Sequence, residues 1–209
     1  MAKTKLKANA KYPARLDVDY QQRLGRWSTL FRIILIIPIA IIATILVGAS
    51  GSGGVNTGAG IAGALFIATL LMILFRQRYP RWWFDFIYAL NRFTTRVTIY
   101  LFALTDRYPS TEDEQNVRLE LDYPNVKRDL NRWLPLIKWL LAVPHYIVLA
   151  FLYVALVFVV VIGWVATVIM GRYPRPLFDF VVGVLRWTLR VYAYAFLLVT
   201  DRYPPFSLS

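Results

Sequence analysis

The 209 residues are 58% hydrophobic yet carry a formal net charge of +12, a combination that ordinary soluble domains do not show. The chain has no cysteine and a single histidine, His145, which removes disulfides, thiolate metal sites and most zinc or acid–base constellations. Its apolar residues come in blocks with the charges between them, the distribution of a polytopic membrane protein.

The lead up to Trp27 is long and polar, unlike the short charged region and short apolar core of a secretory peptide. Lys3, Lys5, Lys7, Lys11, Arg15, Arg23 and Arg26 precede the first apolar run and place the N-terminus in the cytoplasm. Within this lead, residues 14–20 alternate: Arg15, Asp17 and Asp19 on one side, Leu16, Val18 and Tyr20 on the other. That pattern predicts a half-buried strand. Asp17 and Asp19 spell DxD, but further cation ligands are missing, so a solvated strand face is the better reading.

Residues 27–48 and 61–76 predict two transmembrane helices, separated by ASGSGGVNTGAG. Gly58, Gly60 and Gly63 spell GxGxxG; without a preceding strand or a following acid they read as a flexible tip rather than a nucleotide loop. Residues 83–105 predict an amphipathic helix with Asp85, Arg92, Arg96 and Tyr100 on one stripe. Arginines facing lipid at the bilayer centre would cost several kcal/mol. The helix is therefore expected to lie flat in the interface with the stripe toward headgroups or water. Arg78-Tyr79 before it and Arg107-Tyr108 after it belong to RYP motifs. Arginine reaches phosphate, tyrosine sits at headgroup depth and proline stops the helix, so these are expected to be interface anchors.

After an acidic linker, TEDE, the same order is written again. RLDVDY at 15–20 matches RLELDY at 118–123. Arg26, Arg32 and Pro38 match Arg132, Lys138 and Pro144. RYPRWWFDF at 78–86 matches RYPRPLFDF at 172–180. Asp85, Arg92, Arg96 and Tyr100 recur as Asp179, Arg186, Arg190 and Tyr194, each 94 positions on, with Arg172, Tyr173, Arg202 and Tyr203 as the second set of anchors. The chain thus reads as two tandem units, 1–110 and 111–209, the second with a strand at 117–123 and an amphipathic helix at 177–200 that directs Trp187, Val191 and Leu198 toward the acyl region. Its apolar stretch, 134–170, is unbroken. Carrying the glycine-rich insert onto it places an apex near Val154, hence transmembrane arms at 134–152 and 154–170. Against this, FLYVALVFVV contains no turn former, and one long helix kinked at Pro144 is the alternative.

His145 lies inside an apolar arm, where an ionisable side chain is a functional candidate as a proton relay or quinone-facing group; the aligned position in the first unit is Ile39. The Asp85 and Asp179 stripes are candidates for a polar path or lipid-phosphate contacts, with internal ion pairing as the plain alternative. The resulting fold is an all-α membrane protein of two tandem repeats. Each is a transmembrane helical hairpin plus an amphipathic interfacial helix, and the two short strands pair on the cytoplasmic side.

RWLPLIKWLLAVPHYIVLAFL, GRYPRPLFDFVVGVLRWTLRVYAYAFLLVTDRYPPFSL and VRLELDYP closely resemble a bacterial integral-membrane family, domain of unknown function 4389. The second unit looks like a full copy. The first resembles it more loosely, lacking the Pro-His pair and the PPF ending. The resemblance implies a multi-pass protein of the bacterial inner membrane and brings no activity, cofactor or site. From the residues themselves, no catalytic, metal or cofactor site is expected. The leading expectation is a non-enzymatic accessory or scaffold subunit, or a lipid organiser, with anionic lipid and a membrane-protein partner or second copy as partners, both termini cytoplasmic and no role for nucleic acid. A small transporter or channel component and a lipid-headgroup enzyme are the alternatives.

Overall fold

The computed structural model describes residues 12–47, 60–110 and 116–209. It is mostly helical, with one two-stranded sheet. Residues 48–59 of the glycine-rich region and the TEDE linker fall outside the described residues, while Gly60 and Gly63, expected in a flexible tip, belong to the helix Gly60–Leu71.

The expected strands form and pair with each other. β1 (Ala14–Val18) runs antiparallel to β2 (Val117–Leu121), with Leu16 opposite Leu119 and Arg15 opposite Glu120. Alternation puts Ala14, Leu16, Val18, Val117 and Leu119 on the buried face. On the outer face Arg15 bridges Glu120 (3.3 Å) and Asp122 (3.2 Å), and Arg118 bridges Asp19 (2.7 Å). Asp19 of the DxD pair is thus held by an arginine across the ribbon.

The helices are α1 (Arg26–Val47), α2 (Gly60–Leu71), α3 (Arg81–Leu101), α4 (Val126–Asp129), α5 (Pro135–Leu141), α6 (Val143–Met170) and α7 (Arg175–Ala195). α2 continues into a π-helical turn, Met72–Arg76. The turn expected near Val154 is absent, because α6 runs unbroken through it. From His145 to Ile162 no glycine, proline or other turn former interrupts the chain, so nothing there competes with the helix. The break falls instead at Ala142, just ahead of Pro144, whose ring and missing N–H cannot continue the preceding turn.

α6 also measures the molecule. At about 1.5 Å per residue its 28 residues span about 42 Å. The Leu24 N–H, just before α1, donates to Gly171 O at the far end of α6 (2.9 Å), whereas Arg132, just before α5, donates through Nε to Leu74 O in the π turn (2.6 Å). The first apolar stretch therefore starts where the second finishes and finishes where the second starts. The second stretch does not return to its own end of the molecule, so a single long helix replaces the hairpin expected over 134–170; the residues that join α1 to α2 lie outside the described ones.

Three layers result. The ribbon lies on α7 and α3: Arg186 Nε donates to Leu16 O (3.0 Å), the Tyr20 hydroxyl to Tyr173 O (2.6 Å), and the Tyr88 hydroxyl to Leu119 O (2.8 Å). Behind them, α7 packs on α6, where Tyr173 fills the space left by Gly163. A Cβ at that glycine would meet the tyrosine ring at 2.1 Å. α3 packs on α1 through Val97 and Tyr100 against Ile36 and Ile39. The outer layer leaves Phe31, Ile34, Phe151, Val154, Phe158, Val161 and Ile169 exposed. α6 is long and apolar enough to cross a membrane.

Candidate functional site

The most heavily bonded polar groups stand at the two ends of the molecule. After α3 and α7 the chain turns through left-handed residues, Ala103 (φ 60°) and Leu198 (φ 56°). These non-glycine outliers are held by the helix ends they close. Three residues later each turn delivers an aspartate. Asp106 Oδ1 accepts from Arg32 Nη2 at 2.6 Å, while Oδ2 accepts the Gly25 N–H at 2.5 Å. Asp201 Oδ1 lies 2.6 Å from Lys138 Nζ, and Oδ2 accepts the Asn131 N–H at 2.5 Å. The Lys138 ammonium also donates to Thr200 O at 2.7 Å. Arg32 and Lys138 are fully buried, and their charges lie over the rings of Tyr100 (4.5 Å) and Tyr194 (5.3 Å). The aspartates pair with these distant cations, not with the adjacent arginines of the DRYP motifs. They were legible only as an aligned cation, Arg32 or Lys138, standing inside each apolar stretch.

The anchor tyrosines divide. Tyr108 and Tyr203 are half-exposed, and Arg78, Arg107, Arg172 and Arg202 are exposed. Tyr79 and Tyr173 are enclosed by protein, 3% and 0% exposed. Their hydroxyls donate to Leu197 O (3.3 Å) and Val159 O (3.5 Å). Their carbonyls accept from strand-end tyrosines of the opposite half: Tyr20 bonds Tyr173, and Tyr123 bonds Tyr79. Phe178 and Phe84 complete each corner by edge-on contact with Tyr20 and Tyr123, at 5.1 and 5.2 Å.

The arginines of the polar stripes make their contacts with the protein itself. Arg186 donates to Leu16 O and Leu208 O, and Arg190 to Ser207 O and Ser209 O. Arg96 donates to Ser110 O, and Arg92 lies over the Tyr88 ring at 5.8 Å. Asp85 and Asp179 are exposed, away from these bonds. The α7 stripe thus holds the segment 205–209 across the helix. Gly183 makes room for it: a Cβ there would meet Leu208 Cβ at 2.9 Å. Trp187, Val191 and Leu198, expected in the acyl region, are buried in the core.

That strap covers His145. The Trp187 indole N–H donates to His145 Nδ1 at 3.1 Å, and Phe206 stacks on the imidazole at 3.9 Å between centroids. Indole can only donate, so Nδ1 is the acceptor and the neutral ring carries its proton on Nε2, which has no partner among the described residues. The histidine is fully buried in an aromatic box. Among the described residues no group of three His, Cys, Asp or Glu side chains is placed to hold a metal ion.

Neither the curated proteins nor the solved structures include a match to this chain. Residues 133–207, which hold His145, the α7 stripe and Asp201, match the family model described as a domain of unknown function (DUF4389), and over that stretch the chain is similar to that family.

Proposed function

We propose that the chain is a non-catalytic protein of the bacterial inner membrane, an accessory scaffold that organises lipid by lying within the cytoplasmic leaflet, built from two copies of one module. One observation carries this reading: the charged ribbon sits beside the middle of α6, on the far side of α7. β1 runs along α7 from Tyr12, bonded to Arg190 O, to Tyr20, bonded to Tyr173 O, while α7 follows α6 from Gly163 back to His145. An upright α6 would carry Arg15, Glu120, Asp122, Arg118 and Asp19 to the depth of the bilayer centre, where each lipid-facing charge costs several kcal/mol. Laid flat, the exposed faces of α1 and α6 meet acyl chains and the ribbon faces water. The excess of arginine and lysine favours the anionic cytoplasmic surface.

The absence of cysteine makes the test clean. Nitroxides attached to single cysteines at Ile147, Val154, Val161 and Ile169, all exposed along α6, should report similar immersion depths in vesicles. A profile that passes through a maximum near Val157 and reaches opposite headgroup regions at its two ends would overturn the proposal.

A further inference from the structure

At one end of the molecule a cleft of about 940 Å³ opens between the π turn after α2 and the segment around α4. Arg76, Arg78, Arg81 and Lys127 line it, and no carboxylate does. None of the four forms an ion pair with an acid among the described residues. The Arg81 guanidinium lies over the Tyr123 ring at 5.0 Å, and the Tyr123 hydroxyl is itself bonded to Tyr79 O, so the floor of the cleft is fixed by the core. From these features we infer that the cleft is a binding site for a phosphate group, of a lipid headgroup or of a soluble phosphate.

Comparison of the two ends shows how the site is made. From Tyr20 to Arg26 the chain takes six steps; from Tyr123 to the aligned Arg132 it takes nine. The shorter connection runs directly beneath its RYP motif, with the Leu24 N–H on Gly171 O at 2.9 Å. The longer one has room for the four-residue α4, which holds Lys127 at the rim. On the facing wall, Arg76 stands where the other end has Met170. The helix before it widens into a π turn and closes on Gln77 in a left-handed conformation (φ 46°), whereas the aligned residue is Gly171, which adopts φ 70° without a side-chain penalty. A strained non-glycine residue, a widened turn and an inserted helix all converge on the same four cations. Several charge-assisted contacts of this kind are what phosphate recognition requires. Exposed Leu71 at the end of α2 and Phe75 in the π turn, next to Met72 and Arg76 of the cleft wall, offer an apolar path for acyl chains if the phosphate belongs to a lipid.

The test uses the full chain in a neutral maltoside detergent, with dioctanoyl phosphatidic acid and inorganic phosphate as separate probes in titration calorimetry. At least one should bind at a single site. Arg76→Gln and Lys127→Gln should each weaken it about tenfold, a loss typical of one charge-assisted contact. Arg128→Gln, which removes the same charge from α4 but outside the cleft, should leave it within about twofold. Binding of phosphatidic acid alone assigns the site to a lipid headgroup; equal binding of inorganic phosphate assigns it to the phosphate group itself. No binding of either probe, or wild-type affinity in Arg76→Gln and Lys127→Gln, would overturn the inference. Neither result bears on the depth profile of α6, so the orientation and the site fail independently.

Discussion

At the scale of single residues, the two buried cations govern how the ends of the molecule hold together. Lys138 is fully enclosed, while its partner Asp201 keeps 21% of its side chain exposed. Removing the acid strands an ammonium that water cannot reach, and breaking a buried pair in this way costs about 3–5 kcal/mol. Asp201→Asn should therefore lower the thermal midpoint in detergent sharply. Lys138→Met combined with Asp201→Asn should recover part of the loss, because no charge is then left unpaired. A double variant no more stable than the single one would mean that the carboxylate acts mainly through the Asn131 N–H, not through the lysine. In the sequence, the aligned aspartates were visible as part of DRYP and the cations as interruptions of apolar runs. Their pairing was not, because the partners lie 74 and 63 positions apart and only the left-handed turns at Ala103 and Leu198 bring them together.

At the scale of elements, composition identified the strands and helices better than it located their reversals. Period-two alternation over 14–20 and 117–123 was a sufficient signal for the ribbon, since a one-residue slip would turn Leu16 or Leu119 to the outer face. Hydropathy, by contrast, reports how long an apolar stretch is and says little about whether it turns back. The arginine stripes misled for a related reason: periodicity shows that polar groups share a face, but a face bonded to backbone carbonyls looks the same in sequence as one bonded to water. A deletion separates the two readings of the first apolar stretch. Since the aligned second stretch runs on as α6, removing residues 48–59 should join α1 to α2 and leave a folded protein of undiminished helicity by circular dichroism. A hairpin deprived of its turn would instead lose both its helicity and its cooperative melting.

At the scale of the whole molecule, the two halves are interleaved: beside the ion pairs Arg32–Asp106 and Lys138–Asp201 within each half, four corner contacts use one residue from each. Tyr20 closes on Tyr173 and Tyr123 on Tyr79; Leu24 reaches Gly171 and Arg132 reaches Leu74. The ribbon shows why the arrangement can close on itself. Leu16 and Leu119, which the two halves align with each other, are also the central pair, so the strand contacts are related by a local two-fold axis through them. Pairing β2 with a second β2 about Leu119 would set Arg118 opposite Glu120, which repeats the Arg15–Glu120 bridge of the intact chain. The Tyr123 of each copy would then stand where Tyr20 does, within reach of the Tyr173 carbonyl of the other. A self-complementary patch of this kind generates a closed dimer. Residues 111–209 expressed alone are therefore expected to form a homodimer in detergent. Light scattering coupled to size exclusion reads the protein mass directly, and Leu119→Arg, which places two like charges at the axis, should return it to monomer. A folded monomer from the unsubstituted half would show that its corners close without a partner, and the interleaving argued above would lose its energetic basis.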